Sequence, residues 1–240
     1  MMKRKLFRVA GILLIVIMTV LTVLLSQGYI RCKRELEAKS LNEAVSAYTS
    51  REDYVDFDEL STDFINAVVA VEDKRFFSRK GYDFAALARA LYSDFQNRDL
   101  VEGGSTISEQ IAKNLYLGGY VNGLEEKMAE IFIMLKLEDT FSKQELFALY
   151  ANMNYYGDSY FGIHEATRGY YHKEPSQLSL AQSAMLAGIP NAPAVYQLSD
   201  GYELAKQRQE WVLKKMLENG YISKDQYETA LAEDVRAVAR

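Results

Sequence analysis

Hydrophobic and polar positions divide the chain into three regimes. Val9 to Ile30 is a run of 22 residues without a charge, long enough to cross a bilayer as a single helix. Lys3, Arg4, Lys5 and Arg8 precede it, and Arg31, Lys33 and Arg34 follow. A cleaved leader carries a shorter apolar stretch and a small-x-small cleavage site, which Leu25-Ser26-Gln27-Gly28 does not supply, so an uncleaved anchor is expected. The amino-terminal basic cluster is the larger of the two and places that end inside, with the remainder of the chain outside. From Glu35 to Asp58 polar and charged positions dominate, which reads as a stalk or lead-in with helical tendency. Beyond Asp58 apolar residues recur at spacings of three and four, the period of packed helices.

In that third regime Ser61 and Thr62 are candidate caps for a helix that sets Ile65, Val68, Glu72 and Phe76 on one face. Asp83 to Asn97 predicts a second amphipathic helix with Phe84, Leu87, Ala88, Leu91 and Phe95 aligned. Gly103-Gly104 breaks the chain, and Ser105 or Thr106 starts a helix through Leu115. Leu124 to Glu138 is another helix, and Ser142-Lys143-Gln144-Glu145 is a capping-box pattern that opens the next, through Leu146, Leu149 and Tyr150. Tyr155 to Gly162 reads as a loop, Ser179 to Gly188 as a small-residue helix stopped by Pro190, and Glu203 to Glu218 as a surface helix. A short helix follows Ser223. Three prolines, few alternating runs and many helix formers make the expected class all-α. The expected division is a tail at 1–8, an anchor at 9–30, a stalk at 31–57 and one folded domain at 58–240.

Composition narrows the chemistry. The single cysteine, Cys32, forms no internal disulfide, and two histidines cannot build a histidine-rich metal cluster, which leaves carboxylates as the default catalytic groups. Residues 1–34 hold 7 of the 28 basic residues and none of the 33 acidic ones, so the remainder carries a net charge of −12. Such an acidic body is a poor nucleic-acid binder.

Three clusters then stand out. Glu72, in Glu72-Asp73-Lys74-Arg75-Phe76-Phe77, ends an apolar stripe; one-sided desolvation raises a carboxylate's proton affinity and suits it to act as a general base near neutral pH. An ion pair with Arg75 or Lys74 is the plain structural alternative. The Gly103-Gly104-Ser105-Thr106 turn points backbone N–H groups into a helix start, a geometry that suits phosphate. Along that helix Thr106, Gln110 and Lys113 form a polar stripe opposite Ile107, Ile111 and Leu115, and such a stripe ordinarily faces water. Lys127 to Glu130 is the third cluster.

The order and spacing of these clusters resemble the family 51 glycosyltransferases, the peptidoglycan polymerases found alone or fused in class A penicillin-binding proteins. The likeness runs from about Asp58 to Ala230. Val71 to Phe76 with Gly81 resembles the first motif of that family, and Gly103 to Ile107 with Gln110, Ala112, Lys113, Asn114 and Leu115 the second. Lys127 and Glu130 fall in the third, Tyr150, Asn152, Tyr156 and Gly157 in the fourth, and Ala184, Leu186, Ala187, Gly188, Pro190, Ala192 and Pro193 in the fifth.

The resemblance implies a lysozyme-like helical lobe with a small membrane-facing jaw at Phe84 to Phe95. It implies lipid II and the growing lipid-linked glycan as substrates, a single-pass protein of a bacterial cell membrane with its catalytic domain on the outer face, other cell-wall synthesis proteins as partners, and sensitivity to moenomycin. By the same resemblance Glu72 is the general base and Glu130 the second carboxylate, acting directly or through a divalent cation, magnesium or manganese. Lys113 and Lys127 balance the leaving pyrophosphate, with Ser105, Thr106, Gln110, Asn114 and Arg79 in the substrate site. The family pattern has histidine at 79, Thr-Gln at 108–109 and Arg-Lys at 126–127, where this chain has Arg79, Ser108-Glu109 and Glu126-Lys127. Glu126 and Glu130 are helical neighbours of like charge, so two compensations are expected: a cation held between them, or a basic residue such as Arg79 moved toward the pyrophosphate. A catalytically weakened membrane scaffold and a lysozyme-like hydrolase are the competing readings. Transpeptidation is excluded by the lack of any serine with lysine three residues on. Tyr155, Tyr156, Tyr160, Phe161, Tyr170 and Tyr171 could line a sugar groove or serve as core aromatics.

Overall fold

The computed structural model of the chain describes residues 2–79 and 105–237. Among them the regular elements are helical: α1 (Met2–Ala38), α2 (Leu41–Thr49), α3 (Thr62–Glu72), α4 (Ile107–Tyr116), α5 (Leu124–Thr140), α6 (Lys143–Met153), α7 (Ile163–Tyr171), α8 (Leu180–Gly188), α9 (Pro193–Tyr196), α10 (Tyr202–Glu218) and α11 (Lys224–Ala232), with short 3-10 turns between some of them. One antiparallel bridge, Tyr155 with Phe161, closes the loop before α7. The expected jaw helix, Gly81 and the Gly103-Gly104 turn lie outside the described residues.

The anchor is one continuous helix of 37 residues, long and apolar enough to span a membrane. Its apolar side chains are exposed over most of its length, yet Gly28 and Cys32 are buried where its C-terminal part packs on α5. Glycine permits that approach: a Cβ at Gly28 would lie 2.2 Å from the Cβ of Met128.

The segment expected to be a stalk is instead part of the folded body. Ala44 and Val45 of α2, and Val55 after it, are buried with the core. Asn152 of α6 clamps the passage, accepting the Val55 N–H at 2.9 Å and donating to the carbonyls of Val55 and Ala148, each at 2.8 Å. A boundary at 58 therefore falls inside folded structure.

In the core, α3 packs between α8 and α10. The small side chains of Ala181, Ala184 and Ala187 are buried in α8, and Phe64, Val68 and Ala70 are buried in α3. α4 packs on α5 and α6. Four of the helices start with reciprocal capping boxes, at Thr106/Glu109, Ser142/Glu145, Ser179/Gln182 and Ser223/Gln226. One expectation needs correction: α3 stops at Glu72, so Phe76 is not on its face but in the following turn, where it is fully buried beside Phe147 at 6.2 Å between ring centroids.

Candidate active site

Glu72 is the last residue of α3, and α4 supplies its first partner: Gln110 donates from Nε2 to Glu72 Oε2 at 2.5 Å. Gln110, in the middle of the Thr106, Gln110, Lys113 stripe, thus meets the end of α3 rather than bulk water. Burial is the main cause that raises the Glu72 proton affinity; the Gln110 hydrogen bond and the charges of Arg208 and Lys113 oppose it, and Asp73 adds to it. The negative end of the α3 dipole acts in the same direction as burial.

Glu130 lies one helix away and is 2% exposed. Lys127 Nζ sits 3.2 Å from its Oε1. Burial pushes its carboxyl up to about 6, against the opposing charges of Lys127 and Lys113 and with a contribution from Glu109. The charge of Lys113 lowers both carboxyls, as a minor cause in each. The arrangement suits a proton acceptor beside a cationic patch that can meet a developing anion.

The other expected site residues divide. Thr106 caps α4, its N–H donating to Glu109 Oε2 at 2.8 Å. Glutamate and glutamine serve equally at that capping position, so the departure at 109 keeps the cap and adds a charge near Glu130. Ser105 is half-buried just before the cap, whereas Asn114 is exposed beside the Gly119 turn. Arg79 pairs with two carboxylates: its Nη2 is 2.7 Å from Asp73 Oδ2 and 3.0 Å from Glu138 Oε1. Ser108 donates to the same Glu138 oxygen at 2.6 Å, and Lys143 pairs with it at 2.8 Å. Two departures from the family pattern, Arg79 and Ser108, therefore meet at one buried carboxylate. Tyr156, Tyr170 and Tyr171 are core residues; Tyr170 donates to the Tyr156 carbonyl at 2.9 Å.

Glu126 points its carboxylate to the anchor and to the turn before α5. Its Oε1 lies 2.9 Å from Arg31 Nη2 and its Oε2 accepts the Asn122 N–H at 2.6 Å. Both Glu126 oxygens are thus engaged by other groups, and Glu130 Oε1 is on Lys127. No group of three or more metal-ligating side chains occurs among the described residues.

Sequence reasoning found α10 as a surface helix but missed what it brings to the site. Arg208 faces Glu72 and Tyr150 electrostatically and stacks over Trp211, 4.0 Å from the ring centroid. Trp211 and Lys215 line a pocket of about 190 Å³ with Glu72, Asp73 and Lys74. The spacing of Arg208, Trp211 and Lys215 along one helical face was the available signal. A roomier cleft of about 770 Å³, lined by Arg51, Asp56, Asp58 and Glu145 among others, contains neither site glutamate; the chemistry, not the volume, locates the site.

A helical body on a membrane anchor, presenting two desolvated glutamates with lysines nearby, has the constitution of a glycan-processing enzyme that works at a membrane. Comparison narrows it. The transglycosylase family model matches residues 38–217. Penicillin-binding protein 1A of Aquifex aeolicus is 42% identical over 178 residues, 74% of this chain and 24% of that protein. The Cupriavidus necator protein named "Putative transglycosylase H16_A0665" is 36% identical over 194 residues, 81% of this chain and 83% of that protein. Penicillin-binding protein 1F of Bacillus subtilis is 37% identical over 189 residues, 79% of this chain and 26% of that protein. The chain thus spans about a quarter of the length of the penicillin-binding proteins it matches. It belongs to the transglycosylase family of peptidoglycan glycosyltransferases.

Proposed function

We propose that this protein polymerises peptidoglycan glycan strands from lipid II at the outer face of a bacterial cell membrane. The observation that carries the reading is Glu72, buried at the end of α3 and held by Gln110, with the buried Glu130 paired to Lys127. Glu72 takes the proton from the 4-hydroxyl of the acceptor, lipid II. That oxygen attacks the anomeric carbon of the lipid-linked donor chain as the bond to pyrophosphate breaks, so an α-linkage becomes a β-1,4 bond and undecaprenyl pyrophosphate leaves. The leaving group is a stable anion, so neutralisation matters more than protonation. Lys113 and Lys127 supply the charge, and Glu130 holds Lys127 in place.

The test is a polymerisation assay: detergent-solubilised protein with labelled lipid II, with and without magnesium or manganese, alongside Glu72→Gln. Polymer from the wild type and none from the variant is the expected result. A metal requirement that survives Glu126→Ala would trace to a cation carried by the substrate pyrophosphate, and one lost with that variant to a cation held between Glu126 and Glu130. Folded wild-type protein that makes no polymer under any condition would favour the scaffold reading, and cleavage of finished glycan would favour the hydrolase.

A further inference from the structure

Glu126 replaces a phosphate-facing cation of the family pattern, and the reaction above assigns it no role. We propose that the Arg31–Glu126 ion pair locks the outer end of the membrane anchor onto the start of α5 and thereby sets where Lys127 and Glu130 stand relative to the bilayer. The catalytic consequence rests on the proposed reaction; the lock itself rests on geometry.

One face of α1 makes the dock. Gly28 lies inside the apolar span yet is buried, in contact with Met128 and Ala129 of α5. One turn on, Arg31 places Nη2 2.9 Å from Glu126 Oε1 and Nη1 3.8 Å from Glu125 Oε1. Cys32 is buried beside them, and Tyr29 meets Phe132 edge to face at 5.6 Å between centroids. Small-residue packing, an ion pair and an aromatic contact thus converge on residues 125–132. The free side of the Glu126 carboxylate is tied to the Asn122 N–H at 2.6 Å, which fastens the turn before α5 to its first turn. Arg31 and Glu126 are 24% and 23% exposed, so their attraction is less screened than that of a surface pair.

The height follows from the span. Gly28 lies close to the end of the charge-free run, so Met128 stands at the outer edge of the apolar layer, and Lys127 and Glu130 flank that level. A lipid-borne pyrophosphate is confined to the same level by its own tail. A cation at 126, as in the family pattern, would repel Arg31; an anion there makes docking favourable and leaves Lys127 to Glu130.

The experiment compares full-length wild type, Arg31→Glu, Glu126→Arg and the double swap in lipid nanodiscs, by hydrogen exchange and by polymerisation kinetics on lipid II. Each single substitution should speed amide exchange over 124–130 by about tenfold and raise KM for lipid II by a similar factor, with kcat less affected, and the swap should return both to within about threefold of wild type. Thermal unfolding confirms that each variant is folded. Unchanged exchange in the single variants, a swap no better than the singles, wild-type KM in both singles, or faster polymerisation by Glu126→Arg would each overturn the proposal. If the wild type makes no polymer, the reaction reading fails, and the exchange results decide the lock.

Discussion

At the scale of single residues, the two glutamates differ in what surrounds them. Glu72 sits at a helix end against Gln110, Lys113, Tyr150 and Arg208, while Glu130 is enclosed with Lys127 and within reach of Glu109 and Lys113. A base must be ionised to act, so the acid limb of kcat/KM should follow Glu72 and lie above the ordinary glutamate range, because burial raises it. Removing a facing cation raises it further. Arg208→Gln should therefore move that limb toward higher pH by about one pH unit, with activity recovering at alkaline pH, and Arg208→Lys should restore it. A uniformly slower rate with an unmoved limb would make Arg208 a packing residue only. Glu130 gives a stability prediction. Its folded value of about 6 exceeds its ordinary 4.5, so between those values the native state holds the extra proton and stability falls as pH rises. The contribution is about 2 kcal/mol across that window, because each tenfold gain in proton affinity is worth about 1.4 kcal/mol. Melting of Glu130→Gln against pH should lack this component; equal slopes for wild type and variant would contradict it.

At the scale of elements, helix starts were legible because their chemistry is local. Ser142 with Glu145 announces α6 within four residues, and the reciprocal hydrogen bonds form there. The end of α3 was not legible, because Phe76 continues the apolar spacing while the chain turns at Asp73 and buries Phe76 against Phe147. Nor was α7, whose Ile163, Ala166 and Tyr170 are buried behind a loop rich in glycine and tyrosine. Asn152 shows how one side chain joins elements. Asn152→Ala would orphan the Val55 N–H and C=O in a buried setting, and a loss of roughly 3 kcal/mol is expected in chemical denaturation. A loss below roughly 1 kcal/mol would mean that water replaces the clamp.

At the scale of the whole molecule, the anchor and the lead-in belong to the catalytic body. A chain beginning at residue 58 would lack Cys32, Ala44, Val45 and Val55 from the core and should fail to give a cooperative melt. One beginning at residue 31 retains them and should melt cooperatively. Equal melting of the two by circular dichroism would show the lead-in to be dispensable.

Sequence alone determined the membrane span, the all-helical class, most helix starts and the order of the clusters that carry Glu72, Lys113, Lys127 and Glu130. These are recorded in charge-free length, in a period of three to four residues and in caps, all properties of neighbours along the chain. Only the tertiary structure decided which charges meet: Arg79 and Ser108 at Glu138, Arg208 facing Glu72, and Arg31 on Glu126. Those partners lie far apart in sequence, and helical periodicity says which face a residue shares but not which distant face is brought against it.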